Sequence, residues 1–242
     1  MIEPARSFDT AAEQYEATRP SYPEELLDVL PLERHATVLD LAAGTGKLTR
    51  VLVGRYARVI AVEPLDGMRG ILERVVPEAD ARAGTAEQIP LPDRSVHGVF
   101  VAQAFHWFPH DAALAEIARV LVPSGVLCIV WNEPDPSRPS PLPDAARAYL
   151  DELRAELAAF DSETPFADVV ARGPFGEVHE HAVQHDHVLD RAGLLDNARS
   201  VSWIASRADA DRDAVLRRLG SLLPEGVYSI PNVANALWAV RL

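Results

Sequence analysis

The sequence has very little cysteine and lysine, and it is short of basic residues overall. The single cysteine, Cys128, excludes an intrachain disulfide, and the apolar run around it favours a buried core residue over a catalytic thiol. Lys47 is the only lysine, and 23 basic residues stand against 36 acidic ones, for a net charge of −13. This charge argues against nucleic acid and anionic membrane surfaces as partners, because both attract basic side chains.

Long hydrophobic runs are also missing. A membrane-spanning helix needs about 20 mostly apolar residues in a row, and we find no such run. The polar start MIEPARSFDT lacks the apolar region of a signal peptide. We therefore expect a cytoplasmic protein with no membrane partner, while nothing in the sequence indicates an oligomeric state. Apolar residues make up 48% of the 242, which is enough for a sizeable core.

Short apolar runs alternate with amphipathic stretches through the first 132 residues. The runs predict strands at Thr37–Ala42, Arg58–Val62, Ala79–Ala83, His97–Ala104 and Gly125–Asn132. The stretches between them predict helices at Lys47–Arg55, Leu65–Val76 and Pro109–Val122. Strands separated by helices of this length predict βαβ units and a parallel sheet covered on both faces.

The second half begins with a proline-rich segment, 133–143, which has five prolines in eleven residues and is expected to be a loop. Beyond it we predict helices at Asp144–Phe160, Asp190–Ser200 and Asp209–Leu223, and strands at Glu177–Val188 and Val233–Arg241. The connection Leu222–Ile230 is too short for another helical crossover, so the last strand should be antiparallel.

The predicted fold is therefore α/β, a doubly wound Rossmann-like sheet of seven strands, mostly parallel with the last strand antiparallel. We expect a single domain over 1–242, made of four segments: N-terminal helices that cover a cofactor (1–36), a cofactor-binding core (37–132), a linker and cap (133–176) and C-terminal elements that complete the sheet (177–242). Phe160, Phe166 and Phe175 could contribute to the cap, although ordinary core packing explains each of them as well.

The segment Asp40–Gly46, with the sequence DLAAGTG, lies where the first predicted strand turns into the first helix. Glycines are needed there because a ligand approaches the backbone closely, and the helix N-terminus offers free N–H groups. Glu63 ends the next strand, where an acid accepts hydrogen bonds from ribose hydroxyls in this fold. The spacing thus favours a nucleoside ligand over a merely structural turn. Thr49 stands where a dinucleotide motif has its third glycine, and no P-loop spacing is present.

Five motifs in order resemble the class I methyltransferases of the UbiE-like group, including trans-aconitate methyltransferase-like proteins. They are VLDLAAGTGKLT, VIAVEPLDGM, GTAEQIPLPD, HGVFVAQAFHWF and RVLVPSGVLCIVWN, and the likeness runs from about Phe8 to Asn132, more loosely to the end. The resemblance implies S-adenosyl-L-methionine as the cofactor. It also implies the residues that bind it: Tyr15, Arg19, Asp40, Ala42, Gly44, Gly46, Glu63, Met68, Ala86, Glu87 and Gln103.

The roles implied by the resemblance differ along the cofactor. Asp40 and the glycines would hold its methionine part, and Arg19, in the helix and loop at 8–23, would pair with its carboxylate. Met68 would pack against adenine, and Glu87 would accept a hydrogen bond from the adenine amino group. Gln103 would lie beside the sulfonium.

The sequence says less about the methyl acceptor than about the cofactor. Phe105, His106, Trp107, Trp131 and Asn132 follow the fourth and fifth strands and are the predicted acceptor pocket. His106 is the candidate general base, or an orienting group, because the unperturbed pKa of a histidine side chain lies near neutrality. The acidic composition and these aromatic residues favour a small-molecule acceptor, and the resemblance suggests a carboxylate. A hydroxyl is the other acceptor that we expect, and transfer to nitrogen or carbon stays open. A nucleotide-dependent oxidoreductase and a non-catalytic S-adenosylmethionine-binding protein are the alternatives.

Four histidines, at 179, 181, 185 and 187, would share one face of an extended strand and suggest a metal site. However, the first and last would lie about 26 Å apart at ~3.3 Å per residue, so one ion cannot use all four. We therefore predict no metal site and expect a solvated strand face.

Overall fold

A computed structural model describes residues 12–155 and 165–242. Seven strands of these residues form one sheet. The strands are β1 Thr37–Leu41, β2 Arg58–Val62, β3 Asp80–Arg82, β4 Val96–Ala102, β5 Leu121–Pro134, β6 Phe175–Asp190 and β7 Val227–Arg241. Their order in the sheet is β3-β2-β1-β4-β5-β7-β6. β1 pairs in parallel with β2 and β4, β2 pairs in parallel with β3, and β4 pairs in parallel with β5, whereas β7 is antiparallel to β5 and to β6. The predicted mixed α/β sheet is therefore confirmed.

The helices lie between the strands at most of the positions that the apolar periodicity predicts. They are α1 Ala12–Thr18, α2 Lys47–Arg55, α3 Asp66–Val75, α4 His110–Val120, α5 Asp144–Ala155, α6 Phe166–Val170, α7 Arg191–Ser200, α8 Ser202–Ala205 and α9 Asp209–Leu222. Short 3₁₀ helices occupy Glu24–Leu27 and Phe105–Trp107. No helix in the described ranges is long and apolar enough to cross a membrane.

The chain forms two compact units, each built from separate segments. The core unit comprises 21–133, 165–183 and 233–242, and the helical unit comprises 12–20, 134–155 and 184–232. These units interleave along the chain, because the C-terminal segment expected at 177–242 contributes to both. The single-domain assignment stays a prediction.

In the core unit, alternate residues of β1, β2, β5 and β7 enter two different apolar clusters. On β5, for example, Leu127 and Ile129 belong to the first cluster, whereas Cys128 and Val130 belong to the second. This alternation follows from the two-residue period of a strand, so the clusters lie on opposite faces of the sheet. The helical unit has a cluster of its own, which α5, α7 and α9 share with Ile204 and Tyr228.

Several element bounds differ from the sequence prediction. β5 begins at Leu121 rather than Gly125, and β7 begins at Val227 rather than Val233. A short helix, α6, lies within 161–176, where no regular structure was expected. The helix predicted over Asp144–Phe160 is seen from Asp144 to Ala155, and its remainder, with Phe160, lies outside the described residues. The added residues at the starts of β5 and β7 include polar residues and prolines, so the local sequence does not predict a strand there. Their strand partners come from distant parts of the chain.

Candidate active site

The turn after β1 has a backbone that side chains rarely adopt. Ala42, Gly44 and Gly46 all have positive φ angles, of 57°, 58° and 93°. Gly46 is the N-cap of α2, and a Cβ atom there would lie 3.1 Å from a methyl group of Val76. Glycine is therefore needed at this position for both its conformation and its small size.

Glu63 ties this turn to the end of β2. Its Oε2 accepts a hydrogen bond from the backbone N–H of Gly44 at 2.8 Å, and its Oε1 accepts one from Leu65 at 2.9 Å. The side chain is 4% exposed. Both oxygens of this carboxylate are therefore held by backbone N–H groups of the two strand ends. The role of Glu63 toward a ribose stays a prediction.

Asp40 is fully buried under the same turn. Its Oδ2 accepts a hydrogen bond from the Thr49 hydroxyl at 2.6 Å, while its Oδ1 has no partner among the described residues. Burial raises the pKa of Asp40 to about 7, the Thr49 hydrogen bond lowers it, and the nearby Glu63 charge raises it further. The orphaned oxygen fits a binding site that is completed by a polar group of a ligand.

The segment predicted to meet adenine lies against the first cluster. Ala86 is buried within that cluster, whereas Glu87 is exposed. Met68, on α3, is 5% exposed, and its sulfur would lie 3.7 Å from a Cβ atom on Gly44. Met68 and the glycine turn are therefore neighbours, as a shared cofactor site requires.

Arg119 holds the second half of the same segment in place. Its guanidinium donates hydrogen bonds to the backbone carbonyls of Ile89 and Leu91 and to the side chains of Asp93 and Glu116. Glu116 in turn accepts a hydrogen bond from the backbone N–H of Ile89 at 2.9 Å, and the Arg119 hydrogen bond lowers the pKa of Glu116. Sequence reasoning missed the role of Arg119, because Arg119 lies in the fifth motif and supports the third. It also missed the hydrogen bond from Thr49 to Asp40, because motif spacing does not show which side chains of a turn bond to each other.

Gln103 and Asn132 connect the ends of β4 and β5. Gln103 has a φ of 54°, and its amide Nε2 donates a hydrogen bond to the backbone carbonyl of Asn132 at 3.0 Å. The side chain of Asn132 donates to the backbone carbonyl of Ser21 at 3.1 Å. These two hydrogen bonds, here called the amide relay, bring together Gln103 and Asn132 at the carboxyl ends of adjacent parallel strands.

The aromatic residues of the predicted acceptor pocket divide into a buried and an accessible set. Phe105 is 1% exposed and belongs to the first cluster, where it stacks on His110 with ring centroids 4.9 Å apart. His106 is exposed and lies 4.7 Å from the ring of Trp107. Trp131 is half-buried, and its ring meets Phe166 edge-on at 5.7 Å. Phe105 is therefore a core residue, whereas His106, Trp107 and Trp131 keep accessible surface, and their part in an acceptor pocket stays a prediction.

Tyr15 and Arg19 belong to the helical unit. One guanidinium nitrogen of Arg19 donates a hydrogen bond to the carbonyl of Ser200 at 2.7 Å, and its carbon lies 5.4 Å from the Tyr15 ring centroid. Asn197 donates to the carbonyl of Thr18 at 2.7 Å. These bonds attach α1 to the end of α7, and the pairing of Arg19 with a cofactor carboxylate stays a prediction.

The four histidines of β6 do not gather around one point. His179 is exposed and stacks on Trp238 with ring centroids 4.2 Å apart. Within 12–155 and 165–242, no three histidine, cysteine, aspartate or glutamate side chains are grouped so that they could hold a metal ion.

Comparison with known proteins supports a common family. The family model described as a methyltransferase domain matches residues 39–129. An uncharacterised methyltransferase of Mycobacterium tuberculosis is 39% identical over 217 residues, covering 90% of this chain and 85% of the relative. An uncharacterised methyltransferase-like protein of Schizosaccharomyces pombe is 32% identical over 241 residues, covering 95% of this chain and 89% of the relative.

Solved structures share the fold. A protein of Anaeromyxobacter dehalogenans, assigned as a type II methyltransferase, superposes with a TM-score of 0.60 at 24% identity, covering 92% of this chain and 97% of that one. A Haemonchus contortus methyltransferase solved with S-adenosylhomocysteine has a TM-score of 0.56 at 17% identity, covering all of this chain and 60% of that one. The family model and the relatives favour the methyltransferase prediction over the oxidoreductase alternative. The chain belongs to the methyltransferase family and is a class I S-adenosylmethionine-dependent methyltransferase.

Proposed function

We propose that this methyltransferase acts on a small molecule that binds at the carboxyl ends of β4 and β5. The hydrogen bond from Gly44 to Glu63 carries the cofactor half of this proposal, because it joins the glycine turn to the acid expected to hold the ribose. The amide relay between Gln103 and Asn132 and the ring of Trp131 support the acceptor half. A net charge of −13 favours a small acceptor over a nucleic acid.

The bound S-adenosylmethionine supplies a methyl group that its positively charged sulfur activates for in-line displacement. The protein's own contribution is then alignment of the acceptor and exclusion of water. In this proposal Gln103 orients groups at the end of β4, since its positive φ and its bond to Asn132 hold its side chain in one place. Trp107 and Trp131 provide apolar walls.

The acceptor atom is proposed to be an oxygen, in a hydroxyl or a carboxylate. The pocket residues His106, Trp107, Trp131 and Asn132 include no arginine or lysine, which supports a hydroxyl more than a carboxylate. A hydroxyl loses its proton as the new bond to carbon forms, and a ring nitrogen of the exposed His106 is the proposed proton acceptor. A carboxylate would need no such base.

Calorimetric titration with S-adenosylhomocysteine and with NADH tests the cofactor half. We expect binding of S-adenosylhomocysteine and none of NADH, and the reverse result would refute the proposal. Methyl transfer from labelled S-adenosylmethionine to a panel of alcohols, carboxylic acids and amines tests the acceptor half. Binding without transfer to any of them would favour the non-catalytic alternative.

A further inference from the structure

An open cavity of about 170 Å³ lies on the core unit beside Trp131. Its lining residues come from the three strands at one side of the sheet: Trp131 from β5, residues 180–182 from β6, and Asn235 and Ala236 from β7. A volume of this size is comparable to a cavity that holds a benzene ring. The cavity therefore suits one ring or one small polar head group of an acceptor.

Strand alternation assigns the side chains that reach this cavity. Trp131, like Leu127 and Ile129 before it, packs against the first cluster, and so do Leu237 on β7 and Val178 on β6. Residues two or four positions away on the same strand share that face. The face consequently continues past the apolar cluster with Glu133, Asn235, Glu180 and Ala182.

Strand alternation places residue 181 on the opposite face of β6. Val183 packs against the second cluster, so strand alternation places His179 and His181 on its face of β6, while His181 also borders the cavity. His179 agrees with this assignment, because it stacks on Trp238, which also packs against the second cluster.

An indole and one carboxylate, those of Trp131 and Glu180, line the cavity, and a second carboxylate lies next to it. The Trp131 ring is held edge-on against Phe166 at 5.7 Å and 85°, which gives it a defined orientation. The second carboxylate is that of Glu133, which accepts a hydrogen bond from the lining residue Asn235 at 2.9 Å. Glu180 is exposed on the same face, and no lysine or arginine is among the lining residues.

An aromatic face with carboxylates attracts cations and repels anions. We propose that this cavity binds a positively charged group of the methyl acceptor, an ammonium, against Trp131 and between Glu133 and Glu180. The inference rests on the proposed function, since it makes the cavity part of the acceptor site. A cavity of this kind selects amine-bearing acceptors and disfavours a free carboxylate at this position.

Three probes with the same ring test the charge preference: phenethylamine, which is protonated at neutral pH, 2-phenylethanol and phenylacetate. Their binding to the full chain saturated with S-adenosylhomocysteine is measured by ligand-observed NMR titration. We expect phenethylamine to bind at least about fivefold more tightly than 2-phenylethanol, and phenylacetate more weakly than both. Equal or tighter binding of phenylacetate would overturn the inference.

The chain carries a net charge of −13, so a general attraction of cations must be separated from a local site. Glu180→Gln and Glu73→Gln remove the same charge from exposed positions, but Glu73 is on α3, which packs beside β3 at the other edge of the sheet. We expect Glu180→Gln to weaken phenethylamine binding about fivefold and Glu73→Gln to leave it unchanged. Equal effects of the two variants would contradict the proposed site.

The same titrations distinguish this inference from the proposed function. Failure of S-adenosylhomocysteine to bind would overturn both. Binding of S-adenosylhomocysteine together with no preference for phenethylamine would overturn only the inference about the acceptor.

Discussion

Glu63 joins two strand ends through its carboxylate, and its position is what the motif spacing predicts. The two backbone N–H groups of Gly44 and Leu65 hold it, and Arg69 donates to its backbone carbonyl at 2.9 Å. Such a preorganised carboxylate needs no rearrangement to accept hydrogen bonds from a ribose. Binding of the expected nucleoside and the local structure of the glycine turn therefore depend on the same side chain, that of Glu63.

Replacing Glu63 with alanine should weaken S-adenosylhomocysteine binding by roughly 1–3 kcal/mol, because the ribose hydroxyls lose their acceptor. Calorimetry measures the affinity. Glu73→Ala is the matched control, since Glu73 is an exposed glutamate on α3. Unchanged affinity of a folded Glu63→Ala protein would refute the ribose assignment.

Asp40 should make stability depend on pH. Burial raises its pKa from about 3.8 to about 7, so the folded protein holds the proton more tightly than the unfolded chain. Its contribution to stability is therefore fully present below about pH 4 and is lost as the pH rises through 7. The free energy of unfolding should fall by up to about 1.4 kcal/mol per pH unit in this window.

Asp40→Asn removes the titrating group but keeps an oxygen that can accept the Thr49 hydrogen bond. Urea unfolding of both proteins at pH 5.5 and pH 8 measures the difference. We expect the variant to lose less stability than the wild type as the pH rises. Parallel losses in the two proteins would contradict a raised pKa at Asp40.

At the scale of elements, α2 and β2 match their predicted bounds, Lys47–Arg55 and Arg58–Val62. Both have strong apolar periodicity and are bounded by clear turn residues. Helix α6 and the start of β7 were not predicted from the sequence. α6 is five residues long and has buried Val169 and Val170 packed on distant strands, so local periodicity cannot identify it.

The start of α2 depends on Gly46. Gly46→Ala should destabilise the protein by about 1–2 kcal/mol, because a Cβ atom at φ 93° is strained and would crowd Val76. Gly54→Ala, in the same helix, meets nothing within 4 Å and should stabilise it by roughly 0.4–1 kcal/mol. Thermal unfolding of both variants checks the contrast, and equal shifts would argue against the strained turn.

At the scale of the whole molecule, charge sets the choice of partners. With 36 acidic and 23 basic residues, the protein should not bind DNA or RNA even at low salt, because few cations are present to displace phosphate counterions. Fluorescence anisotropy with labelled oligonucleotides at 50 mM and 200 mM salt measures this. Binding that weakens steeply with salt would mean that a local basic surface overrides the net charge.

The sequence by itself determined the α/β class, the glycine turn, the acid at the end of β2 and the family. These features depend on neighbours within about 25 residues, and periodicity and spacing report local constraints directly. Only the tertiary structure decided which of the predicted residues are buried and which distant residues support them. Phe105 is in the core, Arg119 anchors the segment predicted to meet adenine, and Trp131 packs edge-on against Phe166. Each of these depends on contacts between segments far apart in the chain, which local patterns do not encode.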